Sequence, residues 1–113
     1  MAGLIHFVGF TLAEGTTPAR IDRVRERVLT LVEAVDGAEL LCVGPNTSGS
    51  AFARAWHYAA IVRLRDRAVL AAYLAHPAHA ALSAETRDGF YDQCAVLDIE
   101  VPGQSAADVE DRR

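Results

Sequence analysis

Cysteine is scarce, clustered basic charge is missing, and no apolar run is long enough to span a bilayer. Each shortage removes a class of protein. The two cysteines, Cys42 and Cys94, are expected to stay buried thiols in a reducing compartment, since bridges belong to oxidising ones. Acidic residues outnumber basic ones, 15 to 11, for a net charge of -4. Nucleic acids and anionic membranes both reward dense patches of Lys and Arg. Here the arginines are scattered, so neither is an expected partner. Met1 to Phe10 has no basic flank and His6 breaks its apolar run, so it reads neither as a signal peptide nor as a membrane anchor. The chain is expected to be cytoplasmic.

What is present is a globular balance. Hydrophobic residues make up 51% and charged residues 23% of 113 residues. A domain of that length removes roughly two-thirds of its unfolded surface from water without a metal or disulfide staple. The apolar share slightly exceeds what a small monomer hides, which points to an oligomer.

Leu4 to Leu12 alternates, with Leu4, His6, Val8, Phe10 and Leu12 on one face and Ile5, Phe7, Gly9 and Thr11 on the other. It is a strand that is apolar on both sides. After Glu14–Pro18, Thr17 caps a helix and Pro18 suits its first position. Ile21, Val24, Val28, Leu31, Val32 and Val35 then recur at helical spacing until Asp36–Gly37 ends the run. Ala38–Gly44 reads as a second strand, and 45–54 as a surface loop. Ala55–Leu64 reads as a third strand, with Trp56, Tyr58, Ala60, Val62 and Leu64 together on one face. Asp66 caps a helix to Ala75, and His76–Pro77 breaks it. Pro77 opens another helix to about Asp88, and Gly89 closes it. Tyr91–Val101 is a last strand. Residues 103–113 are polar and aperiodic, the pattern of a disordered tail.

This order is the ferredoxin-like βαββαβ arrangement of the α+β class, with helices on one face of a four-stranded sheet. Helices cover only one sheet face, yet strands one and three are apolar on both. The second face therefore needs a partner, and an identical sheet is the simplest one. Two copies closing into a dimeric α/β barrel meet that need.

The most distinctive stretch is Tyr73-Leu74-Ala75-His76-Pro77-Ala78-His79, a phenol and two imidazoles around a proline-marked break. His79 falls in the first turn after Pro77, where the helix N-terminus favours neutral imidazole. A neutral imidazole can accept a proton. The same two residues equally suit structural roles, His79 filling a helix junction and Tyr73 packing in the core with its hydroxyl satisfied.

Ile5-His6-Phe7-Val8-Gly9-Phe10, Gly15-Thr16-Thr17-Pro18, Val43-Gly44-Pro45-Asn46 and above all Ala71 through His79 resemble the stress-responsive dimeric α/β-barrel (Dabb) domain. The resemblance spans residues 4–101 and leaves 102–113 as a tail. That family holds stress proteins of unclear activity and polyketide cyclases resembling olivetolic acid cyclase, so fold alone does not assign activity. For the cyclases the resemblance implies a general base at His79, an orienting or polarising phenol at Tyr73 and a pocket histidine at His6. Cyclase members carry a further histidine on strand three. An ungapped alignment puts Tyr58 there, with His57 on the opposite face.

The implied mechanism is cofactor-free. His79 abstracts a proton beside a carbonyl, and an intramolecular aldol closure follows with Tyr73 on the developing oxyanion. Such an acid–base pair contributes about 10² to 10⁴ in rate, enough for an activated polyketide. Leu4, Val8, Phe10, Val24, Val28 and Phe90 are expected to wall the pocket, with His6, Tyr58, Phe90 and Val28 touching a small apolar or polyketide-like molecule. A metal site at His76, His79 and His6 is the weaker chemical reading, because Pro77 intervenes and no carboxylate or cysteine completes the set. Related barrels bind or degrade haem, but nothing in this sequence supports it, and neither metal nor cofactor is expected. The rival to catalysis is a stress-responsive, ligand-binding dimer whose histidines merely line a cavity.

Overall fold

β1, Gly3–Leu12, is the strand expected from the first alternation. It runs through the middle of the molecule. The computed structural model describes residues 3–53 and 56–102. After β1 come α1 (Pro18–Ala34), β2 (Ala38–Pro45), β3 (Tyr58–Leu64), α2 (Arg67–Ala75), α3 (Pro77–Thr86) and β4 (Tyr91–Val101). The sheet order is β2-β3-β1-β4, and every neighbouring pair is antiparallel. This is the ferredoxin-like βαββαβ fold. Among the described residues no helix is long and apolar enough to cross a membrane.

The two sheet faces fare differently. Leu4, Ala60, Val62 and Leu64 pack under Val28, Leu31 and Val32 of α1, with Val69 and Tyr73 of α2. A second cluster joins Phe10, Tyr58, Val24 and Phe90. Each fully buried Leu, Val or Phe in these groups contributes roughly 1.5–3 kcal/mol over an exposed one. The opposite face has no helical cover. In register across it lie Ile5 beside Ile99, and Phe7 between Ile61 and Leu97. Leu97 and Ile99 remain 52% and 53% exposed, which leaves an apolar surface open to water.

Local chemistry sets the helix ends. Thr17 Oγ1 accepts from Arg20 N at 3.2 Å, and Pro18, which has no N–H to lose, begins α1. Gly37, at φ +90°, makes the turn into β2. A Cβ there would also meet Val69 Cγ2 at 2.8 Å, so position 37 suits only glycine. Asp66 Oδ1 caps α2 by accepting from Val69 N at 2.9 Å. His76 ends α2 and starts α3 at once, its Nδ1 accepting from Ala78 N at 3.0 Å.

α3 has no buried residue of its own. Arginines on α1 hold it from outside. Arg20 donates to the carbonyls of Glu85 (3.1 Å), Arg87 (2.5 Å) and Asp88 (2.9 Å), and its guanidinium lies 5.8 Å over the Phe90 ring. Arg23 pairs with the Glu85 carboxylate at 2.5 Å. A cation at the C-terminal end of α3 meets the helix carbonyls that have no partner in the helix.

Several boundaries differ from the sequence pattern. β3 begins at Tyr58 rather than Ala55; residues 54 and 55 lie outside the described residues, as does the tail from 103 to 113. Asn46 pins the chain ahead of β3, its Nδ2 donating to Trp56 O and its N–H to His57 O, both at 2.8 Å. Trp56 therefore leaves the face of Tyr58 and lies beside Gly9 on the open face. α3 stops at Thr86, and Asp88 (φ 59°) and Gly89 (φ 86°) turn the chain into β4. The expectation of buried thiols is also corrected, since Cys42 and Cys94 are free and exposed. A register slip between Leu40 and Cys42 turns Cys42 to the open face, and Cys94 lies on an edge strand.

Candidate functional site

Pro77 determines where His79 points. By starting a new helix at the end of α2, it puts His79 in the first turn of α3, facing back toward the sheet. There His79 lines a cavity of about 290 Å³ between α3 and strands β1 and β4. β1 contributes His6, Val8 and Phe10, β3 Ala60 and Val62, and β4 Tyr91, Cys94 and Val96. The helical side is Val28, Tyr73, Leu74, His79, Leu82, Ser83 and Thr86. Leu74, Tyr91 and Val96 are 46%, 39% and 55% exposed, so they form an apolar rim where the cavity meets solvent.

Three rings converge at the inner end. Tyr73 packs against both imidazoles, its ring centre 5.5 Å from that of His6 and 6.0 Å from that of His79, both edge-to-face. Burial pushes the Tyr73 phenol up to about 12, so it remains a donor at any physiological pH. The His79 imidazole is held below its ordinary 6.5, first by partial burial and second by the His6 ring. It is therefore neutral at neutral pH and able to take a proton. His6 is almost fully buried on β1, and its Nδ1 lies 2.5 Å from Asp98 Oδ1 on β4. With the carboxylate accepting from Nδ1–H, Nε2 is left as the free ring nitrogen.

Thus His6, Tyr73, His79 and Val28 share one cavity. Val8 and Phe10 join that wall, whereas Leu4 and Val24 belong to the core clusters. Tyr58 and Phe90 lie in the adjoining cluster with Phe10 and Val24, not on the cavity wall. The charges that bear on the Tyr58 hydroxyl are Arg25 and Asp22 of α1, and burial raises its pKa more than either shifts it. His57 accepts from Leu12 N at 3.0 Å. His76 is occupied as a helix cap, and the described residues hold no group of three or more His, Cys, Asp or Glu placed to share a metal ion. Asp98 is the residue at this site that the sequence reading missed. Its signal was a carboxylate on the same β4 face as Cys94 and Val96, directly across from His6 once β1 and β4 pair.

The fold recurs in solved structures. A dimeric ferredoxin-like protein of unknown function from Jannaschia sp. aligns with TM-score 0.78 at 22% identity, over 88% of this chain and 99% of that one. A Dabb family protein with a ferredoxin-like fold from Mesorhizobium loti aligns with TM-score 0.70 at 19% identity, over 92% and 100%. The hydroxynitrile lyase of Passiflora edulis aligns with TM-score 0.76 at 13% identity, over 91% and 96%. No curated protein matches the chain. The profile of the stress responsive A/B barrel domain, Dabb, matches residues 4–101. The chain belongs to that family.

Proposed function

We propose that the protein is a cofactor-free acid–base enzyme that closes a ring in a small polyketide-like carbonyl compound, working as a homodimer. His79 removes a proton from carbon beside a carbonyl. The resulting enolate attacks a second carbonyl of the same molecule, forming the new carbon–carbon bond. Tyr73 donates to the oxyanion as it develops, and the imidazolium returns its proton to the new alkoxide. His6, oriented by Asp98, presents its free nitrogen beside Tyr73.

The observation that carries this reading is that two imidazoles both pack against the Tyr73 ring in one solvent-connected cavity. A base with a depressed pKa beside a donor with a raised one is the arrangement that proton transfer at neutral pH requires. The fold also hosts a hydroxynitrile lyase in Passiflora edulis. Dimerisation is supported by the uncovered apolar face and by the dimeric assembly of the Jannaschia relative.

The direct test is replacement of His79 by Ala and assay of a linear β-polyketide thioester. The expected result is loss of cyclisation on the order of 10² to 10⁴ with the dimer intact. Unchanged turnover refutes the assignment. In that event, a small molecule retained by freshly purified protein in native mass spectrometry marks the protein as a binder.

A further inference from the structure

We infer that the cavity selects an uncharged carbonyl compound about the size of one substituted ring, carrying a second hydroxyl or carbonyl group that meets α3 at Ser83, and that it rejects anions. The carbonyl half of this statement rests on the proposed role of His79. The selectivity rests on the cavity itself.

The charge argument begins with what lines the walls. Among the described residues no Arg, Asp or Glu does so, and the sequence contains no lysine. The arginines of α1 closest to α3 are committed elsewhere, Arg20 to the carbonyls at its C-terminal end and Arg23 to Glu85. Behind His6 stands the Asp98 carboxylate, so any positive charge on that ring is already matched. An anion entering here gives up its hydration and meets no fixed cation, because the His79 imidazole on the wall is neutral at pH 7. The rim of Leu74, Tyr91 and Val96 favours apolar matter, and the net charge of -4 repels anions at longer range.

Size and spacing narrow the ligand further. A volume of about 290 Å³ falls at the small end of ligand sites, which span roughly 300–1,000 Å³. His79, Ser83 and Thr86 follow at four- and three-residue steps, so they share one face of α3 and all line the cavity. Ser83 lies about 6 Å further along the helix axis than His79. The Thr86 hydroxyl donates to Ser83 O at 3.2 Å, which commits its proton and leaves the Ser83 hydroxyl as the donor for the ligand's far end. A polar group across a ring from the reacting carbonyl fits that spacing.

The test uses 4-hydroxyacetophenone, acetophenone and 4-hydroxybenzoate as probes, titrated into the full-length protein at pH 7 with amide NMR shifts as the readout. 4-Hydroxyacetophenone is expected to shift Val8, Leu82 and Val96 and to bind at least tenfold more tightly than 4-hydroxybenzoate. In Ser83→Ala its advantage over acetophenone is expected to disappear. Equal or tighter binding of the benzoate, shifts confined to other surfaces, no binding by any probe, or an unchanged advantage in Ser83→Ala each overturns the inference. Turnover plays no part in this readout. Binding as expected by a protein that cyclises nothing would remove the acid–base reading and leave the selectivity standing.

Discussion

His6 on β1 and Asp98 on β4 face each other across the antiparallel pair, with 2.5 Å between ring nitrogen and carboxylate oxygen. A charge-assisted bond of this kind fixes both the tautomer and the tilt of the imidazole. The hydrogen bond that Asp98 makes to this site is the one to His6, so its influence there runs through that ring. It is a positioning residue.

Asp98→Asn separates orientation from packing, because the amide keeps the shape and loses the charge. On the proposed mechanism kcat falls on the order of tenfold to a hundredfold while KM changes little. Steady-state kinetics on wild type and variant decide it. Wild-type kcat in a folded Asp98→Asn protein would reduce the pair to a structural role.

The pH profile follows from the two shifted groups. His79 has a folded-state pKa below 6.5. The unfolded chain therefore binds that proton more readily, so the stability linked to His79 is complete above pH 6.5 and is lost as pH falls through the lower folded value. The acid limb of kcat/KM should accordingly have its midpoint below 6.5. Tyr73 runs the other way, from 10.0 unfolded to about 12 folded. Its contribution is complete below pH 10 and is lost as pH rises toward 12. Thermal melts across both ranges measure this, and Tyr73→Phe should flatten the alkaline decline. An acid limb centred at or above 6.5 would contradict the assignment of the base.

Arg20→Ala tests how α3 is held. The substitution removes three donors from the carbonyls at the C-terminal end of α3 and uncovers the Phe90 ring. Stability should fall by roughly 1–2 kcal/mol. Amide exchange should quicken across residues 77–90 while the strands stay protected. Uniform exchange across the whole chain would mean that α3 does not open as a separate unit.

Phe7→Glu places a charge at the centre of the uncovered sheet face. Burying it between two sheets has no compensating partner, so the dimer constant should weaken by about a hundredfold or more. Light scattering coupled to size exclusion reads the outcome. A wild-type protein that is monomeric at micromolar concentration would remove the dimer from the proposal.

Much of the fold was legible because it is written in local periods. Alternation in Leu4–Leu12, apolar spacing in α1 and the breaks at Pro18 and Pro77 each state a conformation within a few residues. Proline at 77 likewise announced His79 as a first-turn residue. Strand phase grouped Tyr58 with Ala60, Val62 and Leu64, which the structure shows to be the helix-covered face, but phase cannot say which of two neighbouring clusters on that face a side chain joins. Trp56 was misplaced for a related reason, since its phase was counted from a strand that begins two residues later.

The sequence by itself therefore determined the order of elements, which residues of a strand share a face and the tyrosine–histidine stretch beside the proline break, because each depends on residues close together in the chain. Only the tertiary structure decided that His6 meets Asp98, that Tyr73 packs against both imidazoles and that Tyr58 and Phe90 pack outside the cavity. Those arrangements depend on strand register and on the seating of helices over the sheet. Both join residues far apart in the chain, where short-range pattern carries no information.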